Sequence, residues 1–360
     1  MAHLFDPLAL RSLTLANRIV VSPMCQYSSV DGFSNDWHVV HLGTRAVGGA
    51  ALVMTEATAV TADGRISPQD LGIYDDRHVD GLAHCVRVIH TQKTFAGTQL
   101  AHAGRKGSTA RPWEGGGALA PGQGGWEPVG PTAESFAANY PTPRPLGPAD
   151  IAAIVEAFTN AARRARDAGF DVVELHAAHG YLIHQFLSPL VNTRTDAYGG
   201  SYDNRVRLCL EIVDAVRGVW PERLPLLVRL SATDWKEGGW DLDQAVELAR
   251  RLRAHGVDLV DCSSGGAVHD QQITAGPGYQ VPFAERIRRD AGVPTGAVGL
   301  ITRAEQADAI ISHGQADIVL LARELLRDPY WPLHAADHLG HTVPWPAQYL
   351  RAAHRDTPSR

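Results

Sequence analysis

His176 and His179 stand three residues apart in the segment Glu174-Leu175-His176-Ala177-Ala178-His179-Gly180-Tyr181, and Tyr181 follows two residues later. At the end of an apolar strand this spacing places both imidazoles on one side of a tight turn. Two neutral imidazoles aimed at one oxygen polarise a carbonyl and stabilise the negative charge that grows on it. Tyr181, with an ordinary pKa of about 10, stays protonated at neutral pH and yields its proton only to a strongly basic carbon or oxygen. Paired donors beside a weak acid suit a reaction that passes through an enolate-like species. The same histidines could instead hold a metal, which would make the chain a metal-dependent lyase or isomerase. Against that, Glu174 is expected to face away from His176, and no third ligand stands out. Core histidines without a role are the bland alternative.

Cys25 lies in Ser22-Pro23-Met24-Cys25-Gln26-Tyr27 with no histidine adjacent to act as its base, so acyl-transfer chemistry is a weak reading. The other cysteines, Cys85, Cys209 and Cys262, are widely spaced and form no CxxC pair, which argues against a zinc knuckle, an iron–sulfur cluster or a disulfide framework. Arg229 and Arg323 add positive charge beside glycine-containing turns at Ser263-Ser264-Gly265-Gly266 and Gly299. Cations around turns whose N–H groups can approach an anion suggest a phosphate-bearing cofactor or substrate. The alternative for Arg323 is an ion pair with Glu324.

A repeating unit positions these residues. A helical stretch, a glycine and a short β-branched run recur at Gly48-Gly49, Gly169, Gly256, Gly292 and Gly314. The glycine suits the left-handed position after a helix, and the run suits a strand buried in a parallel sheet. Ile154, Phe158, Ala161 and Ala165 fall at helical spacing within Ile151 to Ala168. Strands are predicted to start near 19, 51, 95, 171, 225, 257, 293 and 317. Eight strands alternating with helices predict an α/β fold, a (β/α)8 TIM barrel, with a long loop insertion of about 104–147 after strand three. Its Gly, Pro and Trp content suggests a lid or binding wall. An open doubly wound sheet is the runner-up, but no glycine fingerprint follows the first strand. In a TIM barrel the active site sits at the C-terminal strand ends, where the residues above all fall.

The chain has 360 residues, with 33 Lys+Arg against 39 Asp+Glu and a net charge of -6. Length alone leaves one or two domains open; the strand count favours one barrel over 1–340 and a tail over 341–360. The acidic balance offers no field to gather nucleic acid or anionic membrane, so neither is expected as a partner. No 18-residue apolar run and no signal-peptide pattern occur, and a cytoplasmic location is expected.

Six separated segments resemble the old yellow enzyme family of FMN-dependent ene-reductases: 22–27, 56–60, 99–106, 176–182, 192–201 and 299–302. They occur in that family's order and cover the chain from about Leu4 to Tyr349. Cys25, Tyr27 and the C-terminal Gln348-Tyr349-Leu350-Arg351 resemble its thermophilic-like bacterial branch, which includes NADPH dehydrogenases and xenobiotic reductase A.

The resemblance implies non-covalent FMN held by Ser22, Pro23, Met24 and Cys25, by Ala57, Gln99 and Arg229 at the ring system, and by Gly299, Ala322 and Arg323 at the phosphate. Cys25 would tune the flavin. His176 and His179 would bind the oxygen of an activated alkene such as an enone, maleimide or nitroalkene. Tyr181 would protonate the α-carbon after hydride, drawn from NADPH or NADH by way of FMN, reaches the β-carbon. Tyr27 and Lys106 would line the substrate pocket. A homodimer or homotetramer is implied, with Arg351 reaching a neighbouring active site, although Ala352-Ala353-His354 departs from the branch's usual ending. Trp235 and Trp240, after strand five, either alter the pocket or pack. A non-catalytic scaffold barrel would need none of these strand-end groups.

Overall fold

The computed structural model describes residues 2–354 and 357–360. Eight strands close into a barrel: β1 (Ile19–Val21), β2 (Leu52–Ala59), β3 (Phe95–Ala101), β4 (Val172–Ala177), β5 (Leu226–Ser231), β6 (Leu259–Ser263), β7 (Thr295–Ala297) and β8 (Ile318–Leu321). Each pairs in parallel with its neighbours in sequence, and β8 pairs with β1 to shut the ring. All eight strands coincide with the expected ones. The five glycine-marked junctions take the expected left-handed conformation, at Gly49, Gly169, Gly256, Gly292 and Gly314.

Most strand residues are fully buried, because helices cover the outer face and side chains fill the inner one. The main covering helices are α1 (Asp36–Val47), α2 (Val79–His90), α3 (Pro148–Asp167), α4 (Tyr202–Arg217), α5 (Leu242–Ala254), α6 (Val281–Ala291) and α7 (Ala304–Ser312). α3 shows how the sequence builds one. Pro148 occupies the first turn, where its missing N–H costs nothing, and the Asp150 carboxylate accepts the Gly147 N–H at 2.8 Å. The predicted stripe of Ile154, Phe158, Ala161 and Ala165 is buried against the barrel, and Phe158 alone contributes about 2–3 kcal/mol. Short helices also follow β4 (Leu182–Leu187) and β8 (Arg323–Arg327).

An N-terminal hairpin, Leu8–Leu10 with Leu13–Leu15, was not among the expected elements; its three-residue strands are too short to show a period. The long excursion after β3 contains no α-helix, only single turns at Gly104–Lys106, Pro112–Glu114 and Pro121–Gln123 and a two-residue ladder. It is tied down by side chains: Ser108 Oγ accepts the Trp126 N–H at 2.8 Å, and Trp126 Nε1 donates to the Asp63 carbonyl at 2.9 Å. The terminal residues fold back, with Arg360 Nη1 donating to the carbonyls of Ala46 and Val47 at the end of α1. Among the described residues, no helix is long and apolar enough to cross a membrane.

Candidate active site

The C-terminal ends of β1 to β8 bring Cys25, Tyr27, Ala57, Gln99, His176, His179, Tyr181, Arg229, Gly299, Ala322 and Arg323 to one face. Pairing register sets the floor, with Gln99 opposite Glu174, His176 opposite Arg229, and Arg229 opposite Asp261. Glu174 departs from expectation. Residues two apart on a strand share a face, so Glu174 points into the barrel with His176 rather than away from it. There it accepts from Gln99 Nε2 at 2.7 Å, beside Arg229 and Asp261. Arg229 Nε approaches Asp261 at 3.0 Å without hydrogen-bond alignment, which leaves both Asp261 oxygens without a hydrogen bond. Burial pushes both carboxyls upward, and the Asp261 charge raises Glu174 further, while the Arg229 charge pulls both back down. Among the described residues, no three His, Cys, Asp or Glu side chains are arranged to hold a metal ion.

His176 and His179 meet edge to face with ring centroids 5.0 Å apart, and Tyr181 lies 4.9 Å from His176. His176 Nδ1 accepts the Ala178 N–H at 3.3 Å, so the ring proton sits on Nε2, free to be donated. His179 Nε2 lies 2.7 Å from Ser263 Oγ. Burial first, then the Arg229 charge, hold both histidines well below their ordinary pKa, which keeps them neutral N–H donors. Burial pushes Tyr181 well above the ordinary tyrosine value, so it remains a proton carrier.

The turn that carries His179 and Tyr181 is unusual. His179 and Gly180 are both left-handed, with φ of +61° and +72°. A Cβ at Gly180 would lie 1.9 Å from the Gly266 carbonyl oxygen, so only glycine fits there. All four backbone polar groups of these two residues are held by side chains. Ser231 Oγ accepts the His179 N–H at 2.9 Å, and Lys106 Nζ donates to the His179 carbonyl at 2.8 Å. His184 Nδ1 accepts the Gly180 N–H at 2.9 Å, and Gln185 Nε2 donates to the Gly180 carbonyl at 2.8 Å. Lys106 thus turns its ammonium to this turn and to the Gly266 carbonyl, with Phe136 at 4.4 Å and Tyr181 at 5.3 Å across their ring faces. Burial lowers its pKa to about 8.

Cys25 lies among Tyr27, Glu56 and Asp70. Burial and then the Asp70 charge raise its pKa well above the ordinary thiol value, so it is a thiol at neutral pH. Asp70 was not among the expected residues. It is buried, accepts from the N–H groups of Ile66 and Ser67 and from Ser67 Oγ, and has its pKa raised to about 7 by burial. Trp113, from the insertion, packs edge-on to Tyr27 with centroids 5.7 Å apart. An open groove of ≈ 550 Å³ separates Phe136 and Tyr140 of the insertion from Lys236 and His269 of the facing loops. Trp240 is fully buried and stacks on Tyr202, which settles it as packing, while Trp235 packs on Phe283.

A second cavity, of ≈ 190 Å³, runs from Arg229 and Ser263 past Gly299 to Ala322 and Arg323. Arg229 Nη1 donates to Ser22 Oγ at 3.2 Å at its inner end. Gly299 has φ of +120°, and a Cβ there would come within 2.9 Å of Gln280 Nε2, so its backbone stays bare. Arg323 is exposed and has no ion-pair partner among the described residues; Glu324 pairs with Arg327 instead. A cleft with an unpaired guanidinium at one end and a buried one at the other fits a flat ring system bearing a phosphate, as FMN does. Arg351 is not brought to this cluster within one chain. It is exposed on a tail whose Tyr349 meets Tyr330 and whose Trp345 bridges to Ser359.

Residues 3–341 match the model of the NADH:flavin oxidoreductase / NADH oxidase family. An NADPH dehydrogenase from Geobacillus sp. (strain WCH70) is 50% identical over 350 residues, covering 97% of this chain and 98% of the relative. Among solved structures, morphinone reductase in complex with tetrahydroNAD superposes with a TM-score of 0.78 at 30% identity, covering 96% of this chain and 93% of that one. An old yellow enzyme homologue from Zymomonas mobilis gives 0.79 at 25% identity, covering 94% and 93%.

Proposed function

The chain belongs to the NADH:flavin oxidoreductase / NADH oxidase family and is an FMN enzyme that uses NAD(P)H; from that premise we propose that it reduces the C=C bond of activated alkenes such as enones, maleimides or nitroalkenes. The observation that carries this reading is the convergence of two neutral imidazoles and one protonated phenol, with the His176 ring within 5.0 Å of both His179 and Tyr181. Bound FMN supplies the hydride. Ser22, Pro23, Met24, Cys25, Ala57, Gln99 and Arg229 would hold its ring system, and Gly299, Ala322 and Arg323 its phosphate.

His176, through Nε2–H, and His179 hold the activating oxygen of the substrate. They draw charge onto it as the β-carbon receives hydride, which is where donors lower the barrier. Tyr181 then delivers its O–H proton to the α-carbon, so the double bond gains one hydrogen at each carbon. Neither histidine has to change charge, because burial keeps both neutral. Tyr27 and Lys106 wall the pocket, Cys25 would border the ring system as a neutral thiol, and Arg351 would complete the site of a neighbouring copy in a dimer or tetramer. A cytoplasmic location belongs to the same reading.

Anaerobic stopped-flow kinetics test it. Wild-type protein should bleach with NADPH or NADH and recolour with a cyclic enone, and Tyr181→Phe should slow the second phase roughly 10²–10⁴-fold while leaving the first nearly intact. Equal slowing of both phases would make Tyr181 structural and remove it as the proton donor.

A further inference from the structure

Behind the substrate-facing turn lies a buried pair outside the mechanism described so far. His184 and Asp234 are both fully buried, and they come from the short helix after β4 and the loop after β5. His184 Nδ1 accepts the Gly180 N–H, and its Nε2 lies 2.9 Å from Asp234 Oδ1 without hydrogen-bond alignment, a close contact of ring edge and carboxylate. Asp234 Oδ2 accepts from Ser188 Oγ at 2.6 Å and from the Trp240 N–H at 2.8 Å. We propose that Asp234 and His184 are a positioning pair for alkene reduction: the carboxylate selects the His184 tautomer able to accept the Gly180 N–H, and that bond holds His179 and Tyr181 in place.

The argument turns on which clamps can fail. Of the four side chains that hold His179 and Gly180, Ser231 accepts through a hydroxyl that always has lone pairs, and Lys106 and Gln185 donate. Gln185 is oriented by its own bonds, since Oε1 accepts the Arg105 N–H and Nε2 also reaches the Ala103 carbonyl. His184 alone exists in a neutral form that cannot do its work, the one with the proton on Nδ1. A carboxylate beside Nε2 is an acceptor only, so it draws the ring proton to Nε2 and leaves Nδ1 open. Asp234 stays a carboxylate because, although burial raises its pKa, the facing His184 and the hydrogen bonds from Ser188 and Trp240 outweigh that and hold it below the ordinary value. An unsatisfied Gly180 N–H would be costly, since Gly180 is buried and the turn is left-handed at two successive residues.

The proposal rests on the reading that His179 and Tyr181 act on the substrate, and the test separates the two. Asp234→Asn keeps the shape, but the amide must still accept from Ser188 and Trp240 with its oxygen. Its NH₂ then faces Nε2, and the ring proton is driven to Nδ1, against the Gly180 N–H. In FMN-loaded protein labelled with ¹⁵N-histidine, the His184 signals should exchange their protonated and unprotonated character. Alkene reduction should fall roughly 10- to 100-fold, equivalent to about 1.4–2.7 kcal/mol. Adding His184→Asn should recover most of that loss, because the amide oxygen of the shorter side chain takes the place of Nδ1 and has no tautomer to choose. A pair that only packs predicts the opposite, a double variant worse than Asp234→Asn. An unchanged ring spectrum with unchanged turnover, or a double variant no better than the single one, would overturn the proposal. Should Asp234→Asn fail to fold, His184→Asn is expected to exceed His184→Leu about tenfold in turnover, and equality of the two would overturn it. If Tyr181→Phe leaves alkene reduction unchanged, the functional reading fails while the tautomer result stands by itself.

Discussion

Gly180→Ala perturbs the active site by a single methyl group, and the structure sets the size of the effect. Gly180 has φ of +72°, where a residue with a Cβ costs about 1–2 kcal/mol. The new Cβ would lie 1.9 Å from the Gly266 oxygen, 2.5 Å from the Gly266 carbonyl carbon and 3.0 Å from Ala267 Cα. All three are backbone atoms of the facing loop and have no rotamer with which to yield. Gly266 itself sits in a left-handed position against His179, so the two loops interlock. Relieving the overlap requires a shift of about 1 Å, for which overpacking costs of about 1–3 kcal/mol are usual. The total is about 2–5 kcal/mol, spread between lost stability and a displaced turn. A displacement of that size at a reacting centre costs about 10²-fold in rate. FMN content should stay near that of wild type, because Ser22, Arg229, Gly299 and Arg323 come from other strands. The assay measures flavin absorbance per mole of protein, the melting temperature, and the anaerobic rate of enone reduction. Retained turnover, or a loss of turnover that only tracks a loss of FMN, would refute the idea that the left-handed turn positions the chemistry.

Asp70→Asn should show how a buried carboxyl loads the fold. With a folded-state pKa of about 7 against an unfolded value near 4, Asp70 contributes stability that is fully present in acid and is lost as pH rises from about 4 to 7. The variant lacks this dependence, so its stability relative to wild type should improve by about 2 kcal/mol between about pH 5 and 7.5, read from urea midpoints; a constant difference would show that Asp70 is ionised throughout. Cys25 should resist iodoacetamide at about pH 8 although it is only partly buried, reacting at least roughly tenfold more slowly than free cysteine, because its raised pKa leaves little thiolate. Faster alkylation, followed by mass spectrometry of the intact chain, would mean that burial and the Asp70 and Glu56 charges do not hold the thiol protonated.

The eight strands are legible in the sequence because each carries a local signature, a glycine-ended helix followed by a β-branched run, and parallel barrels bury strands on both faces. The strand-end residues are legible for the same reason: once the strands are placed, the active face follows. Glu174 runs against the expectation although the strand's period of two places it beside His176. Asp70, Ser231, Asp234 and Gln185 escape a reading of the sequence because nothing local distinguishes a buried polar side chain from an exposed one. The one available signal is His184-Gln185 inside the apolar run Leu182-Ile183…Phe186-Leu187, where two polar groups in a helix without a polar face imply buried partners.

By itself, the amino-acid sequence determined the barrel, the face that carries the candidate site, and the kinds of group gathered there, because strand period, turn chemistry and functional-group inventory are properties of short segments. Only the tertiary structure decided what those groups can do. His176 and His179 are neutral donors because burial and the charge of Arg229, on the next strand of the barrel, hold their pKa down. The turn that aims them survives because Lys106, His184, Gln185 and Ser231 converge on its backbone from three strand ends. Desolvation and convergent hydrogen bonding depend on what lies nearby in space, and neither is encoded in any one segment.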